Sequence, residues 1–247
     1  MIRDTGKSSP EDNMAFDAEL LESMAEPGSV PVLHLYDWAV PSATYGYFTD
    51  PAALLCMEAV HDAGLQLARR PTGGGVIFHL TDWAFSLAIP ATHPAYSVNT
   101  LDNYAYVNRL LMRVVTRFME TQPSLSLLPG EPEPANEYAR YFCMAKPTKY
   151  DVMLEGRKVA GGAQRRTRFG FLHQGSISLA PPDIALLSKV LLPNTGVLQA
   201  MQQHTGILLP DSSSSDQIAS ARRSLADLLV QAMQTSVLFP EYFFRNS

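Results

Sequence analysis

The sequence predicts an α+β fold, an antiparallel-rich mixed sheet with flanking helices. Three observations predict it. Short runs rich in branched and aromatic residues are separated by tight turns and read as hairpins. Helical stripes are inserted between those hairpins. No regular alternation of strand and helix runs along the chain. The 247 residues are 46% apolar and 17% charged, which excludes collagen-like, coiled-coil and largely disordered chains. A chain of this length can bury a real core, and we expect a single catalytic domain over residues 1–247.

The elements follow in order. After a polar leader, Asp12 or Asn13 can cap a helix whose apolar positions are Met14, Leu20, Leu21 and Met24. Val32 to Trp38 reads as a strand, and Ser42 to Phe48 as its hairpin partner through a turn containing Pro41. Asp50 caps a helix with Pro51 at its first position, and Gly64 closes it. Strands are expected at Gln66 to Arg69, Val76 to His79 and Trp83 to Ile89. From Thr100 to Met119, Tyr104, Val107, Leu111, Val114, Val115 and Phe118 form one apolar helical stripe. Gln122 to Asn136 holds four prolines and Gly130 and reads as a loop. Tyr150 to Leu154 and Lys158 to Gln164 form strands around a Glu155-Gly156 turn, and a further strand covers Gly170 to Leu179. Asp183 to Leu192 reads as helix, Ser212 to Ser215 as a polar break, and Ala219 to Thr235 as a closing amphipathic helix.

Charge and cysteine usage remove several functions. Nineteen basic against 24 acidic residues give −5, so neither nucleic acid nor an anionic membrane is the expected partner. Cys56 and Cys143 lie far apart without a CxxC, and the six histidines lack ligand spacing, so no metal site is expected. The N-terminus has no apolar signal region and no 18-residue apolar stretch occurs, which makes a cytoplasmic location the expectation. Walker, dinucleotide, HExxH and nucleophile-elbow patterns are all missing.

Two glycine turns wired to cations carry the chemistry that remains. Arg69 and Arg70 precede Gly73-Gly74-Gly75, and His79 follows. Consecutive glycines bring several N–H groups close to a ligand, and arginine forks suit a phosphate or carboxylate. The alternative is a tight hairpin with its arginines in solvent. In the second turn Lys158 precedes Gly161-Gly162-Ala163-Gln164, where its ammonium could stabilise negative charge on an acyl or phosphoryl oxygen. An exposed strand lysine is the alternative. Cys143 is either a small core residue or, with Lys146 beside it, a nucleophile. Cys56, on the apolar face of a helix, reads as packing.

In this order and spacing the pieces resemble the lipoate and biotin protein ligase superfamily, on its lipoate–octanoate side. The resemblance runs from Asn13 to Leu192. It is carried by Asn13 to Asp17, Tyr36-Asp37-Trp38, Arg69 to Gly75 with His79, Gly156 to Gln164, and Leu172-His173-Gln174-Gly175-Ser176-Ile177. Biotin ligases are similar in fold but carry a GRGR-type loop, which this chain lacks.

The resemblance implies a catalytic domain of the biotin/lipoate protein ligase type, with a cleft over one face of its sheet. It also implies attachment of a lipoyl or octanoyl group to a lysine of the lipoyl domains of 2-oxoacid dehydrogenases or of the glycine-cleavage H protein. Lys158 would contact the acyl carbonyl, Gly73 to Gly75 would line the acyl tunnel, and Arg70 would meet the activated carboxyl or its phosphate. Arg69, His79, Gly161, Gly162, Ala163, Gln164 and His173 complete the implied substrate and nucleotide site. Leu80 stands where an aspartate commonly follows the histidine.

Two mechanisms divide such proteins. ATP-dependent ligases form an acyl-adenylate, need ATP and Mg²⁺, and usually read Gly-Gly-Gly in the first loop, as here. Cysteine-dependent transferases take octanoate from acyl carrier protein, need neither, and share a C-x3-P-[ST]-x-Y-[DE] pattern that matches Cys143 to Asp151. They usually carry Arg at the position of Gly75. Only about 55 residues follow Leu192, too few for the accessory domain of many ligases. The intact triplet and clustered arginines incline the sequence reading to the ligase. A binder of lipoate or of a lipoyl domain without catalysis stays as the reading from another class.

Overall fold

The computed structural model describes residues 1–120 and 124–238. Its strands are β1 (Ile2–Ser8), β2 (Val32–Trp38), β3 (Ser42–Tyr45), β4 (Gln66–Arg69), β5 (Val76–His79), β6 (Asp82–Pro90), β7 (Leu125–Leu127), β8 (Val152–Leu154), β9 (Arg157–Arg166) and β10 (Gly170–Ser178). Seven of them form a mixed sheet in the order β1-β2-β6-β10-β9-β8-β7, and the other three form a small sheet β4-β3-β5. The helices are α1 (Pro10–Ser23), α2 (Met57–Asp62), α3 (Thr100–Met119), α4 (Ile184–Val190), α5 (Val197–His204) and α6 (Ser215–Leu238). The expected α+β class is the observed one.

Strand alternation divides the large sheet into two faces. Trp83, Phe85, Leu87 and Ile89 of β6, with Phe171 and Ile177 of β10, pack in one core with Val107, Leu111, Val114 and Val115 of α3 and Leu225 and Leu229 of α6. The intervening residues face α1 and the small sheet, where Met14, Tyr36, Trp38, Ala68 and Ala84 form a separate cluster. A second core under α2, α4 and α5 gathers Phe78, Phe142, Leu187 and Met201. The cleft lies between the large sheet and the small one.

Local chemistry accounts for the helix ends. The α1 cap is Ser9, whose side chain accepts from Asp12 N, with Pro10 at the first position; it is not Asp12 or Asn13. Asn99 caps α3 by accepting from Leu101 N, and Glu120 ends it in the left-handed region. The expected helix after Asp50 divides into a short 3-10 turn at Pro51–Ala53, which Asp50 does cap, and α2. Cys56 is therefore the half-buried residue before α2, not part of a helix face.

Several expectations are corrected. The polar leader is strand β1, paired in parallel with β2, because backbone hydrogen bonding at a sheet edge asks little of its exposed side chains. Ser42 onward does not pair with β2; β3 joins β4 and β5 in the small sheet. The proline-rich stretch contains the short strand β7, while Gln122 and Pro123 lie outside the described residues. The closing helix begins at Ser215, and α5 was not expected.

Candidate active site

The site begins with a strand irregularity. Val152 pairs with Ala160, but the next residue, Met153, pairs with Lys158, so Val159 is an extra residue in β9. Strict alternation would send Lys158 to the helix face with Ala160. The bulge turns both Val159 and Ala160 toward the helical core and brings Lys158 round to the cleft. Its Nζ donates to Asp151 Oδ2 at 2.8 Å and to the Cys143 carbonyl at 3.1 Å. An ammonium has three hydrogens, so one remains for a ligand.

Asp151 is fully buried and heavily used. Its Oδ2 also accepts from Thr148 N at 2.7 Å and Thr148 Oγ1 at 3.2 Å, closing the Thr148 to Asp151 turn. Its Oδ1 accepts from the Tyr104 hydroxyl at 2.6 Å. That hydroxyl in turn accepts from Gly162 N at 2.9 Å, so α3 and β9 are tied together behind the lysine. Burial first, then the Asp151 charge, raises the Tyr104 phenol well above its ordinary pKa, so it stays a donor. A Cβ on Gly161 would lie 2.2 Å from Asp151 Oδ1 and 2.8 Å from Lys158 Cε, so the lysine stem runs directly over this glycine.

Cys143 is delivered by the segment after a 3-10 turn at Ala139–Tyr141. Its N–H donates to the Val76 carbonyl at 3.0 Å, while neighbouring Phe142 stacks on Phe78. Cys143 and Lys158 both line a narrow, largely apolar cavity between the large sheet and the small one, which leaves about 40 Å³ for the centres of water-sized molecules. Tyr36, Ala84, Ser176 and Met14 line it further in.

Arg70 also reaches the cavity, but its donors point back into the protein. Nη1 donates to the Thr44 carbonyl and hydroxyl at 3.0 and 2.9 Å. Nη2 donates to the carbonyls of Gly73 and Gly75 at 3.1 and 2.8 Å. All four terminal hydrogens are committed, and only Nε is without a partner. Burial lowers the Arg70 pKa, and the neighbouring Cys143 and Tyr36 oppose that shift. Thr44 Oγ1 is also 2.8 Å from His79 Nε2, and His79 Nδ1 is 2.8 Å from Asp82 Oδ2. Asp82 thus partners the histidine although Leu80 replaces the adjacent aspartate. Trp38 stacks on the same ring at 4.2 Å.

The structure brings Lys158, Cys143, Arg70, His79, Gly161, Gly162 and Ala163 to the cavity wall. Gly73, Gly74 and Gly75 adjoin that wall rather than forming it. Gly74 has φ +90°, and a Cβ there would stand 3.6 Å from Ala163 Cβ and 3.9 Å from Cys143 Sγ. Arg69 lies outside, its guanidinium 4.8 Å from the Tyr47 ring centroid. His173 and Gln164 fall on the helix face, where Gln164 Nε2 meets His173 Nδ1 at 2.9 Å. His173 is packed between Phe85 and Tyr104, and burial pushes its pKa down to about 3. Among the described residues no group of three His, Cys, Asp or Glu side chains could hold a metal ion, and no helix is long and apolar enough to cross a membrane.

Sequence reasoning assigned no role to Tyr104, Asp151, Tyr36 or Gln174. The motif that carries Cys143 ends on Asp151, which was a usable signal. Tyr104 gave none, because it sits in an apolar stripe that α3 needs for packing.

A lysine and a cysteine thus meet on the wall of a narrow apolar cavity, on a mixed sheet with a glycine loop beside it. The chain belongs to the lipoyl protein ligase A/B catalytic domain family, whose model matches residues 9–207. It is 32% identical over 203 residues to octanoyltransferase LipM of Anoxybacillus flavithermus, covering 81% of this chain and 73% of that protein. It is 30% identical over 202 residues to octanoyltransferase LipM of Bacillus subtilis, with the same coverage of 81% and 73%. Among solved structures, a lipoate-protein ligase A bound with ATP matches with a TM-score of 0.63 at 20% identity, over 100% of this chain and 94% of that one. A bipartite lipoate protein ligase from Thermoplasma acidophilum, described with its E2 lipoyl domain, matches with a TM-score of 0.60 at 20% identity and the same coverage.

Proposed function

We propose that this protein is a cysteine-dependent octanoyltransferase, moving octanoate from acyl carrier protein to a lysine of a lipoyl domain, with residues 1–247 serving as one catalytic domain. The observation that carries the reading is Cys143 on the wall of the acyl cavity beside the Lys158 ammonium. In the first step the Cys143 thiolate attacks the thioester carbonyl of the octanoyl donor. The free N–H of Lys158 stabilises the tetrahedral oxyanion. The carrier thiolate leaves and takes up a proton, and octanoyl remains on Cys143. In the second step the neutral amine of the acceptor lysine attacks the new thioester. An amide forms, the amine loses its proton to water, and the Cys143 thiolate is released. The names of the relatives support the same reading.

The commitments of the arginines support a transferase over an ATP-dependent ligase. An adenylate needs donors for its phosphate, yet Arg70 spends its four terminal hydrogens on Thr44 and the glycine loop. Arg69 stands over Tyr47 outside the cavity. The first-loop arginines therefore do not fit that group as they stand, and no step here runs through ATP or Mg²⁺.

The test is the intact mass of an apo lipoyl domain incubated with the protein and octanoyl carrier protein, against a parallel tube of lipoic acid, ATP and magnesium. An octanoyl shift only in the first tube, with octanoyl trapped on Cys143, is expected. A lipoyl shift only in the second would overturn the reading.

A further inference from the structure

We propose that Tyr36 sets the length of the acyl chain this enzyme accepts, acting as the end stop of a groove that runs across the strands. The inference rests on the transfer reading above and deepens it.

The groove follows from strand register. On the cleft face, Gly161 of β9 pairs with Ser176 of β10, and Ser176 pairs with Ala84 of β6. The β2–β6 register sets Leu35 opposite Phe85, and carried one residue on it places Tyr36 opposite Ala84. One row perpendicular to the strands therefore reads Gly161, Ser176, Ala84, Tyr36. Three small residues are followed by a large ring, and all four line the cavity.

The dimensions suit an eight-carbon chain. Lys158 stands over Gly161, so the carbonyl end belongs there. From Gly161 to Ala84 the row crosses two inter-strand gaps of about 4.8 Å each, roughly 10 Å in all. Seven zigzag C–C bonds of about 1.5 Å extend to roughly 9 Å. The methyl end of an extended octanoyl chain thus arrives at the Tyr36 ring.

Tyr36 is held as a stop. It is buried, its ring centroid lies 4.6 Å from that of His34 and 5.2 Å from that of Trp38, and it meets the latter edge-on. Beyond it, the residue of β1 in register with Tyr36 is Gly6, where an added Cβ would touch nothing within 4 Å. No residue of β1 lines the cavity. A small residue thus follows on the far side of the tyrosine, and the Tyr36 ring is the large side chain that stands in the row before the sheet edge.

The experiment offers the protein an equimolar mixture of hexanoyl, octanoyl, decanoyl and dodecanoyl carrier proteins and reads acyl masses on the lipoyl domain. Calorimetric binding of the corresponding free acids runs alongside. Tyr36→Leu is expected to raise the decanoyl-to-octanoyl ratio about tenfold or more, and Ala84→Leu to lower octanoyl relative to hexanoyl by a similar factor. A chain-length profile unchanged from wild type in both folded variants overturns the proposal. If Tyr36→Leu does not fold, Ala84→Leu decides alone. A wild-type protein that binds the acids but transfers none refutes the transferase reading, and the binding profiles of the variants still decide the end stop. A wild type that neither binds nor transfers any chain overturns both.

Discussion

The Lys158 ammonium lies 2.8 Å from Asp151 Oδ2, a pair in which the carboxylate is fully buried and the lysine is nearly so. Asp151 has no other cationic partner within ion-pair distance among the described residues, and it also accepts from Tyr104 and Thr148. The carboxylate therefore fixes the lysine above Gly161 and leaves its third hydrogen for a ligand.

Lys158→Met keeps the apolar stem and removes the charge. Acyl transfer should fall by about 100-fold or more, the loss expected for an oxyanion donor. Leaving Asp151 unpaired should also cost on the order of 3 kcal/mol of stability. Steady-state transfer and denaturant unfolding measure the two effects separately. Retained transfer in the folded variant would remove Lys158 from the chemistry.

Cys143→Ser should abolish transfer from octanoyl carrier protein while leaving the unfolding midpoint close to wild type, because the thiol lines the cavity rather than filling the core. Cys56→Ser should transfer at the wild-type rate. Intact mass of the enzyme after brief mixing with donor should show octanoyl on wild type and on Cys56→Ser, and none on Cys143→Ser.

The glycine loop is clamped from both sides. Arg70 bonds the carbonyls of Gly73 and Gly75, and a Cβ on Gly75 would fall 1.9 Å from the Tyr141 carbonyl oxygen. Arg70→Lys cannot span the same four acceptors with one ammonium. Faster hydrogen exchange at Gly73 to Gly75 is expected, together with a stability loss of about 1–3 kcal/mol. Gly75→Ala should cost about as much through overpacking, read as a drop in Tm. An Arg at this position, usual in the resembling transferases, would require the Tyr141 backbone to stand elsewhere.

His173 predicts a pH dependence. Its folded pKa is about 3 against an ordinary 6.5, so between those values the unfolded chain binds the extra proton. The stability linked to this neutral, buried imidazole is fully present above pH 6.5 and is lost as pH falls toward 3. The loss should be on the order of several kcal/mol. In His173→Phe the slope of unfolding free energy between pH 4 and 6 should flatten. An unchanged slope would place the acid sensitivity in other groups.

Legibility divided along physical lines. Strands β2, β4 and β5 and helix α3 were read with their observed limits, because branched runs, turn residues and a 3.6-residue stripe are local signals. The helix-face placement of His173 was readable. Phe171, His173, Gly175 and Ile177 share one strand parity, and two of those four are plainly core residues. Parity places the histidine side chain on the same face as Phe171 and Ile177. Arg70 could not be read in this way, since a buried guanidinium bonded to backbone carbonyls and an exposed one awaiting a phosphate have the same sequence.

By itself the sequence determined the α+β class and singled out the glycine loop, Lys158 and Cys143 as candidates, because propensity, turn geometry and side-chain type are local properties. Only the tertiary structure decided which sheet β3 joins, that the polar first residues pair as β1, and which face Lys158 occupies. Those outcomes depend on strand register and on one extra residue, Val159, and pairing between distant segments is a property of the assembled sheet rather than of either segment.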